Sequence, residues 1–114
     1  MRQEISERGA IQVVKPLEKS VDVSAASDLK DAVATLIDAK KNLIILDMTE
    51  VEFVDSTGLG AMVYTLKRAT AKGGDAVLVG LQPGVRSLLE TTRLDNCFQI
   101  YDDESTAVAA MTPS

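Results

Sequence analysis

The residues best suited to chemistry lie between Phe53 and Met62, in the segment FVDSTGLGAM. Three small polar residues follow a strand-like apolar piece and lead into a helix with two glycines in its first turn. Each glycine costs roughly 1 kcal/mol relative to alanine inside a helix. Their presence indicates that Gly58 and Gly60 give access to a partner or kinase that side chains at these positions would obstruct. A helix N-terminus offers unpaired N–H groups and positive potential to an anion. Ser56 is therefore a candidate phosphoacceptor, and a phosphate there would switch binding through its charge and acceptor oxygens.

The same segment has a purely structural interpretation. Ser56 or Thr57 could simply cap the helix, and Gly58 and Gly60 could let the helix pack tightly against a sheet. Spacing alone favours this second interpretation. The segment has no GK[ST] ending and no basic residue to hold a nucleotide phosphate, so it is not a P-loop.

The residues that are missing exclude several classes of chemistry. The chain has no histidine, which removes Ser-His and Cys-His nucleophilic sites, histidine-ligated metals and a histidine phosphorelay step. We expect no catalytic site, no metal site and no cofactor. The single cysteine, Cys97, lies beside Phe98 and is expected to be a buried small hydrophobic residue.

Charge and hydropathy set limits on the partners. The 12 Lys and Arg residues against 17 Asp and Glu give a net charge of −5, and no basic run occurs, so direct nucleic-acid binding is not expected. No apolar stretch approaches the ~20 residues of a membrane span, and no apolar signal region follows Met1 to Glu4. We expect a cytoplasmic protein without a membrane contact, formed by one domain over residues 1–114.

The elements that must position the segment alternate along the chain. Ile5 stands alone as an early apolar residue. Five strands are predicted after it: Ile11 to Lys15, which Pro16 ends; an edge strand within Leu17 to Val21; the central strand Leu43 to Leu46; Ala76 to Val79; and Phe98 to Tyr101. Val51 to Val54 is predicted to be a connection. Predicted helices are one with its cap at Ser24 and an apolar face from Leu29 to Ile37; one with a face from Leu59 to Ala69 that stops at Lys72-Gly73-Gly74; one that starts at Pro83; and one from Ser105 to Met111.

This alternation predicts an α/β fold with right-handed crossovers and helices that flank the sheet. The expected sheet is mixed but largely parallel, with four to five strands and about four helices. Met48 and Met62 are expected in the core.

The segment Phe53 to Gly60 resembles the signature of the anti-sigma factor antagonists, small single-domain members of the STAS superfamily. The resemblance extends over nearly the whole chain. It includes Val21 to Ala25 before the first helix, Leu43 to Met48, Lys72 to Gly74, and the Leu94-Asp95 turn before the last strand. It implies a STAS-type fold.

The resemblance also implies a function. Ser56 would be phosphorylated by a serine kinase of the histidine-kinase-like ATPase fold that is also the anti-sigma factor. The unphosphorylated chain would bind this kinase and release its captive sigma factor or other client, and a PP2C-type phosphatase would restore binding. The chain itself would be no enzyme.

The partner-binding residues implied by the resemblance cluster around the phosphoacceptor. Asp22 matches an acidic residue of the kinase-facing surface, although Lys19 stands where the family usually has glycine. Taken alone, Asp22 would be a charged residue at a helix entry. Thr57 matches as a hydroxyl that could cap the helix or compete weakly for phosphate. The predicted partner-binding set is Asp22, Ser24, Asp55, Ser56, Thr57, Gly58, Leu59 and Gly60.

Two other functions are possible from the pattern. A phosphoaspartate receiver could use Asp47 or Asp55, but the first strand ends in Val14-Lys15-Pro16, without the acidic pair that holds magnesium. A STAS scaffold within a larger signalling assembly is the second alternative. Asp102, Asp103 and Glu104 form an acidic cluster, for which a complement to the last helix N-terminus is the favoured explanation over a cation site.

Overall fold

A computed structural model describes residues 1–112 of the chain. Its strands are β1 (Gln3–Arg8), β2 (Ile11–Pro16), β3 (Ser20–Val21), β4 (Leu43–Asp47), β5 (Phe53–Val54), β6 (Asp75–Val79) and β7 (Ile100–Tyr101). Its helices are α1 (Val23–Asp38), α2 (Ser56–Ala71), α3 (Pro83–Thr91) and α4 (Glu104–Met111), with a 3₁₀ turn at Leu94–Asn96.

Five strands form the main sheet in the order β1-β2-β4-β6-β7. The β1–β2 hairpin is antiparallel, and the pairs β2–β4, β4–β6 and β6–β7 are parallel. The predicted fold class, a largely parallel mixed sheet with four helices, is thus confirmed, and so is the central place of the strand that contains Leu43 to Leu46. The strand around Ile5 is longer than predicted, because β1 pairs along the whole of β2, up to Pro16 at the strand end.

A second, two-stranded sheet corrects two predictions. Leu17 to Val21 is not an edge strand of the main sheet, since only Ser20–Val21 is a strand and it pairs in parallel with β5. Val51 to Val54 is not only a connection, because its last two residues are β5. The reason is a pairing across the chain: the Lys19 carbonyl accepts hydrogen bonds from the Glu52 and Phe53 amides. This small sheet carries the two segments that enter α1 and α2.

The core has two parts, one on each face of the main sheet. Ile44 and Leu46 of β4 lie in the larger part with α1, α2 and α3, whereas Ile45 lies in the smaller part with Ala107 of α4. Burial on both faces explains why this strand is apolar without alternation. Met48 and Met62 are both fully buried in the larger part, as predicted.

The final third of the chain departs from the prediction in detail. Cys97 is exposed, not buried, because it ends the 3₁₀ turn and its amide donates to the Leu94 carbonyl. The neighbouring Phe98 takes the core position and lies outside β7, which spans only Ile100–Tyr101. In α4, the first helical residue is Glu104, one residue before the predicted start. None of the helices in residues 1–112 has both the length and the apolar character needed to cross a bilayer.

Candidate functional site

The candidate site lies where the small sheet feeds two helices side by side. Val21 of β3 and Val54 of β5 are paired in register, and each is followed by an aspartate, Asp22 or Asp55. Both aspartates have extended backbone conformation and act as N-caps, of α1 and α2 respectively. Paired strands lie about 5 Å apart, so the structure brings the two predicted acidic residues together.

Asp55 organises the first turn of α2. Its Oδ1 accepts hydrogen bonds from the Gly58 amide at 2.9 Å and from the Thr57 hydroxyl at 2.6 Å. These two bonds, first that of Thr57 and then that of Gly58, hold the pKa of Asp55 below its ordinary value. The suggestion that Ser56 or Thr57 caps the helix is therefore wrong: Asp55 is the cap, and Ser56 is the first helical residue.

The two neighbouring hydroxyls differ in their availability. Thr57 Oγ1 donates its proton to Asp55, whereas Ser56 is exposed and its hydroxyl has no hydrogen-bond partner among residues 1–112. A phosphoacceptor must give its hydroxyl proton to a base while its oxygen attacks, and a proton already held by a carboxylate is less free to leave. The geometry thus favours Ser56 over Thr57 as the reacting group.

The two glycines of the turn have opposite surroundings. A Cβ on Gly58 would come within 3.0 Å of the Val21 carbonyl oxygen and within 2.7 Å of Val54 Cγ1, because α2 begins directly against the small sheet. A Cβ on Gly60 would meet no atom within 4 Å. Tight packing therefore explains Gly58, which is buried and cannot contact a partner, and the prediction that both glycines give access is wrong for Gly58. The space around Gly60 is open, so access for a partner stays a prediction at that position.

The start of α1 completes the site. Its cap is Asp22, whose Oδ1 accepts from the Ala25 amide at 3.2 Å, so the prediction of Ser24 as the cap is wrong. Asp and Ser are about equally good caps, and the spacing of apolar residues does not separate positions two apart. Ser24 instead lies exposed in the first turn, beside Asp22.

Two apolar residues of this surface were missed by the sequence analysis. In the described part of the chain three large apolar side chains are exposed, and two of them, Val23 at 67% and Phe53 at 59%, flank the two caps. Val23 is the first residue of α1, and Phe53 faces outward because its neighbour Val54 faces the core. Exposed apolar side chains beside a polar motif are typical of a protein–protein contact. The strand alternation at Phe53-Val54 was the only signal that could have found Phe53.

The acidic cluster near α4 has a structural role. Asp103 is the N-cap of α4 and accepts from the Thr106 amide at 2.8 Å, as the helix-complement interpretation predicted. Glu104 forms an ion pair with Arg8 at 3.1 Å, and its hydrogen bond to Asp47, followed by burial, raises its pKa. Within residues 1–112 no group of three or more carboxylates and cysteines is placed to hold a metal ion.

Asp47, one candidate of the receiver hypothesis, is also committed to the fold. Its side chain is buried at 4% exposure, and its Oδ1 accepts hydrogen bonds from the amide and the hydroxyl of Thr49. An aspartate that receives a phosphoryl group needs an open approach to its oxygen, and Asp47 lacks one.

Comparison with known proteins adds a family to this geometry. The model of the STAS domain family matches residues 3–107. The anti-sigma-B factor antagonist of Listeria monocytogenes is 30% identical over 102 residues, which cover 89% of each chain. The crystal structure of a candidate anti-sigma factor antagonist from Thermotoga maritima superposes with a TM-score of 0.88 at 28% identity and covers 96% of this chain and 93% of the other.

A more distant structure shows the shared fold. The Bacillus cell fate determinant SpoIIAA, solved in its phosphorylated form, superposes with a TM-score of 0.77 at 18% identity. The match covers 97% of this chain and 100% of that protein.

Proposed function

Because this chain belongs to the STAS domain family, we propose that it is a phosphorylation-switched anti-sigma factor antagonist. In its unphosphorylated form it binds an anti-sigma factor that is also a serine kinase of the histidine-kinase-like ATPase fold. Binding releases the sigma factor or other client that the kinase holds. The observation that carries this proposal is the exposed hydroxyl of Ser56 on the first turn of an aspartate-capped helix, where nothing in the described part of the chain forms a hydrogen bond with it.

The switch is a reversible phosphoryl transfer at one oxygen. Ser56 Oγ attacks the γ-phosphorus of ATP held by the kinase, its proton passes to a base of the kinase, and ADP leaves. A PP2C-type phosphatase hydrolyses the phosphoserine and restores the hydroxyl. The chain is the substrate of both enzymes and is itself no enzyme. We also propose that residues 1–114 act as one domain located in the cytoplasm.

The proposed contact surface consists of the two helix starts and the apolar side chains beside them. Val23, Phe53 and the half-buried Leu59 supply apolar area whose burial stabilises the complex. Asp22, Ser24, Ser56 and Thr57 supply polar groups, and Gly60 leaves an open position. Asp55 and Gly58 act indirectly, by fixing the turn that presents Ser56. A phosphate in the middle of this surface would leave a desolvated charge without a partner, and the complex would weaken.

The test is a binding measurement on a matched set of variants. The unchanged chain, Ser56→Ala and Ser56→Asp are titrated calorimetrically, with ADP present, into each purified serine kinase of this fold encoded in the same genome. We expect Ser56→Ala to bind as the unchanged chain does and to accept no phosphate. We expect Ser56→Asp to bind at least about thirtyfold more weakly, since such a buried charge costs about 2 kcal/mol or more.

The control separates a local charge from a change in stability. Ser105→Asp places the same charge in the first turn of α4, far from the site, and should bind normally. Thermal melting of Ser56→Asp should stay close to that of the unchanged chain, because a negative charge at a helix N-terminus is neutral or mildly stabilising. Equal affinity of Ser56→Ala and Ser56→Asp would refute the switch. Large assemblies formed by the chain without a kinase in gel filtration would favour a scaffold instead.

A further inference from the structure

A groove extends from Ser56 along the outer face of α2 and is bordered on its other side by the 3₁₀ turn. It has a volume of about 470 Å³, and its apolar walls are Leu59, Val63 and Leu94. Gly60 lies between these walls, where no atom stands within 4 Å of the position that a Cβ would take. The missing side chain of Gly60 is therefore what keeps the groove open next to Ser56.

Leu94 belongs to the groove because of the backbone before it. Arg93 has a left-handed conformation, with φ of 61°, directly after α3 ends. This conformation turns the chain into the 3₁₀ helix that begins at Leu94. Leu94 of the Leu94-Asp95 turn, which the sequence analysis named without a local role, thus lines the same groove as Ser56.

The far end of the groove is basic. Lys67 lines it together with Tyr64, and the Tyr64 ring is flanked by Lys30 Nζ at 5.4 Å and by the Arg68 guanidinium at 5.8 Å from its centre. Among the described residues, only Asp38 forms an ion pair with one of these three basic side chains. Its carboxylate is largely exposed and lies 3.7 Å from the Arg68 guanidinium. A cluster of positive charge on a chain with a net charge of −5 attracts an acidic partner group.

We infer that this groove is a second contact of the proposed kinase, and that it takes an apolar side chain of the kinase over Gly60 and a carboxylate of the kinase beside Lys67. The inference rests on the proposed function. Continuity supports a single partner, because Ser56 is both the phosphoacceptor and one end of the groove. The charge of Lys67 sets the orientation of the partner in the groove: its acidic residue lies toward Lys67 and its apolar residue toward Ser56.

The first experiment fills the groove. Gly60→Leu places an apolar side chain in the open space, and Gly60→Ala is its matched control, since both replace a helical glycine and should raise the melting temperature. In the calorimetric titration with the kinase, we expect Gly60→Leu to bind about tenfold more weakly or worse, because it occupies the place of one buried apolar side chain. Gly60→Ala, whose methyl group fills only part of the open space, should weaken binding less than Gly60→Leu does.

The second experiment reverses one charge. Lys67→Glu should weaken binding roughly threefold at low salt and should reduce the dependence of affinity on ionic strength. Lys72→Glu is the matched control: the same charge change at the exposed C-cap of α2, outside the groove. Equal effects of the two reversals would show general electrostatics and would overturn the assignment of a carboxylate to the groove.

The outcomes distinguish this inference from the proposed function. Suppose that Ser56→Asp loses binding while Gly60→Leu binds as tightly as the unchanged chain: the switch then stands and the groove contact is wrong. If the unchanged chain binds none of the kinases, the proposed function fails first and the inference fails with it. Backbone NMR shifts on titration should include Val63, Lys67 and Leu94, and the absence of shifts at these residues would also overturn the groove contact.

Discussion

The starts of α1 and α2 are two versions of one local structure, and they differ at the positions on which the proposed function depends. Each begins with a valine of the small sheet, then an aspartate cap, then an exposed residue, a hydroxyl residue and a small residue whose amide donates to the cap. The exposed first residue is Val23 in α1 and Ser56 in α2. The small third residue is Ala25 in α1 and Gly58 in α2.

These differences give the same local structure different surfaces in α1 and α2. At the first position, α1 has the exposed apolar side chain of Val23, whereas α2 has the exposed hydroxyl of Ser56, the proposed phosphoacceptor. At the third position, α1 has space for a methyl group, whereas α2 lies directly on the Val21 carbonyl and does not. The chain thus fixes the turn that carries Ser56 by packing, while the outward face of that turn stays open.

The largest effect should come from removing the steric difference between the two helix starts. Gly58→Ala should lower the free energy of unfolding by about 2 kcal/mol, because overpacking against the Val21 carbonyl outweighs the gain of about 1 kcal/mol in helix propensity. Urea denaturation followed by circular dichroism measures this loss.

Two controls bracket that measurement. Gly60→Ala gains the same helix propensity without a contact within 4 Å and should be stabilising. Ala25→Gly, the reverse exchange at the matching position of α1, should cost about 1 kcal/mol or less through backbone entropy. A neutral Gly58→Ala would mean that the first turn of α2 can move away from β3, and the contrast between the two starts would disappear.

A smaller effect is expected from removing the caps one at a time. Asp22→Ala and Asp55→Ala should each lower the melting temperature by about 4 °C, since each leaves one amide of the first turn without its acceptor. Asp55→Ala should lower it slightly more, because Thr57 also loses its acceptor.

The rate of phosphorylation at Ser56 should differ between the two cap variants more than the melting temperature does. Asp55→Asn keeps an acceptor for the Gly58 amide and should recover most of the lost melting temperature. We expect Ser56 to be phosphorylated more slowly in Asp55→Ala than in Asp22→Ala, because only the former disorders its turn. Equal phosphorylation rates would show that the turn needs no cap to present Ser56.

The larger elements could be predicted from the sequence because their patterns are local. The apolar spacing from Leu29 to Ile37 and the unbroken run in β4 indicate a helix and a buried strand without any knowledge of partners. The two-residue strands β3 and β5 have no period to detect, and they form only because they pair with each other although α1 and β4 separate them in the sequence. The role of Gly58 depends on that same pairing, so spacing could not separate Gly58 from Gly60.

The site was predictable in part for a similar reason. The residue types at Asp55, Ser56 and Thr57 limit the chemistry, but Asp and Ser are equally good caps, and the geometry decided between them. Val23 carries no signal of exposure, since one apolar residue beside polar ones does not show which way it faces. The alternation of Phe53 with Val54 is the only signal for Phe53. Cys97 illustrates the same limit: its neighbour Phe98 occupies the core and leaves the thiol outside.

The smallest effect concerns the protonation of Asp55. The hydroxyl of Thr57 is the largest cause of its lowered pKa, followed by the Gly58 amide. Thr57→Val should therefore raise the pKa of Asp55 toward its ordinary value, whereas Thr57→Ser, which keeps the hydroxyl, should leave it low. Carboxyl-detected NMR titration of Asp55 in the three proteins measures the difference directly.

The sign of the linked stability follows from the direction of that shift. A carboxyl with a lowered pKa in the folded state stabilises the fold above its unfolded pKa, and this contribution is lost as the pH falls through the folded pKa. In Thr57→Val this contribution should be smaller, and its loss should be complete at a higher pH than in the unchanged chain. If Asp55 titrated alike in Thr57→Val and Thr57→Ser, the Gly58 amide would be the dominant bond. The hydroxyl of Thr57 would then be as free as that of Ser56, and the structural basis for choosing Ser56 as the phosphoacceptor would be lost.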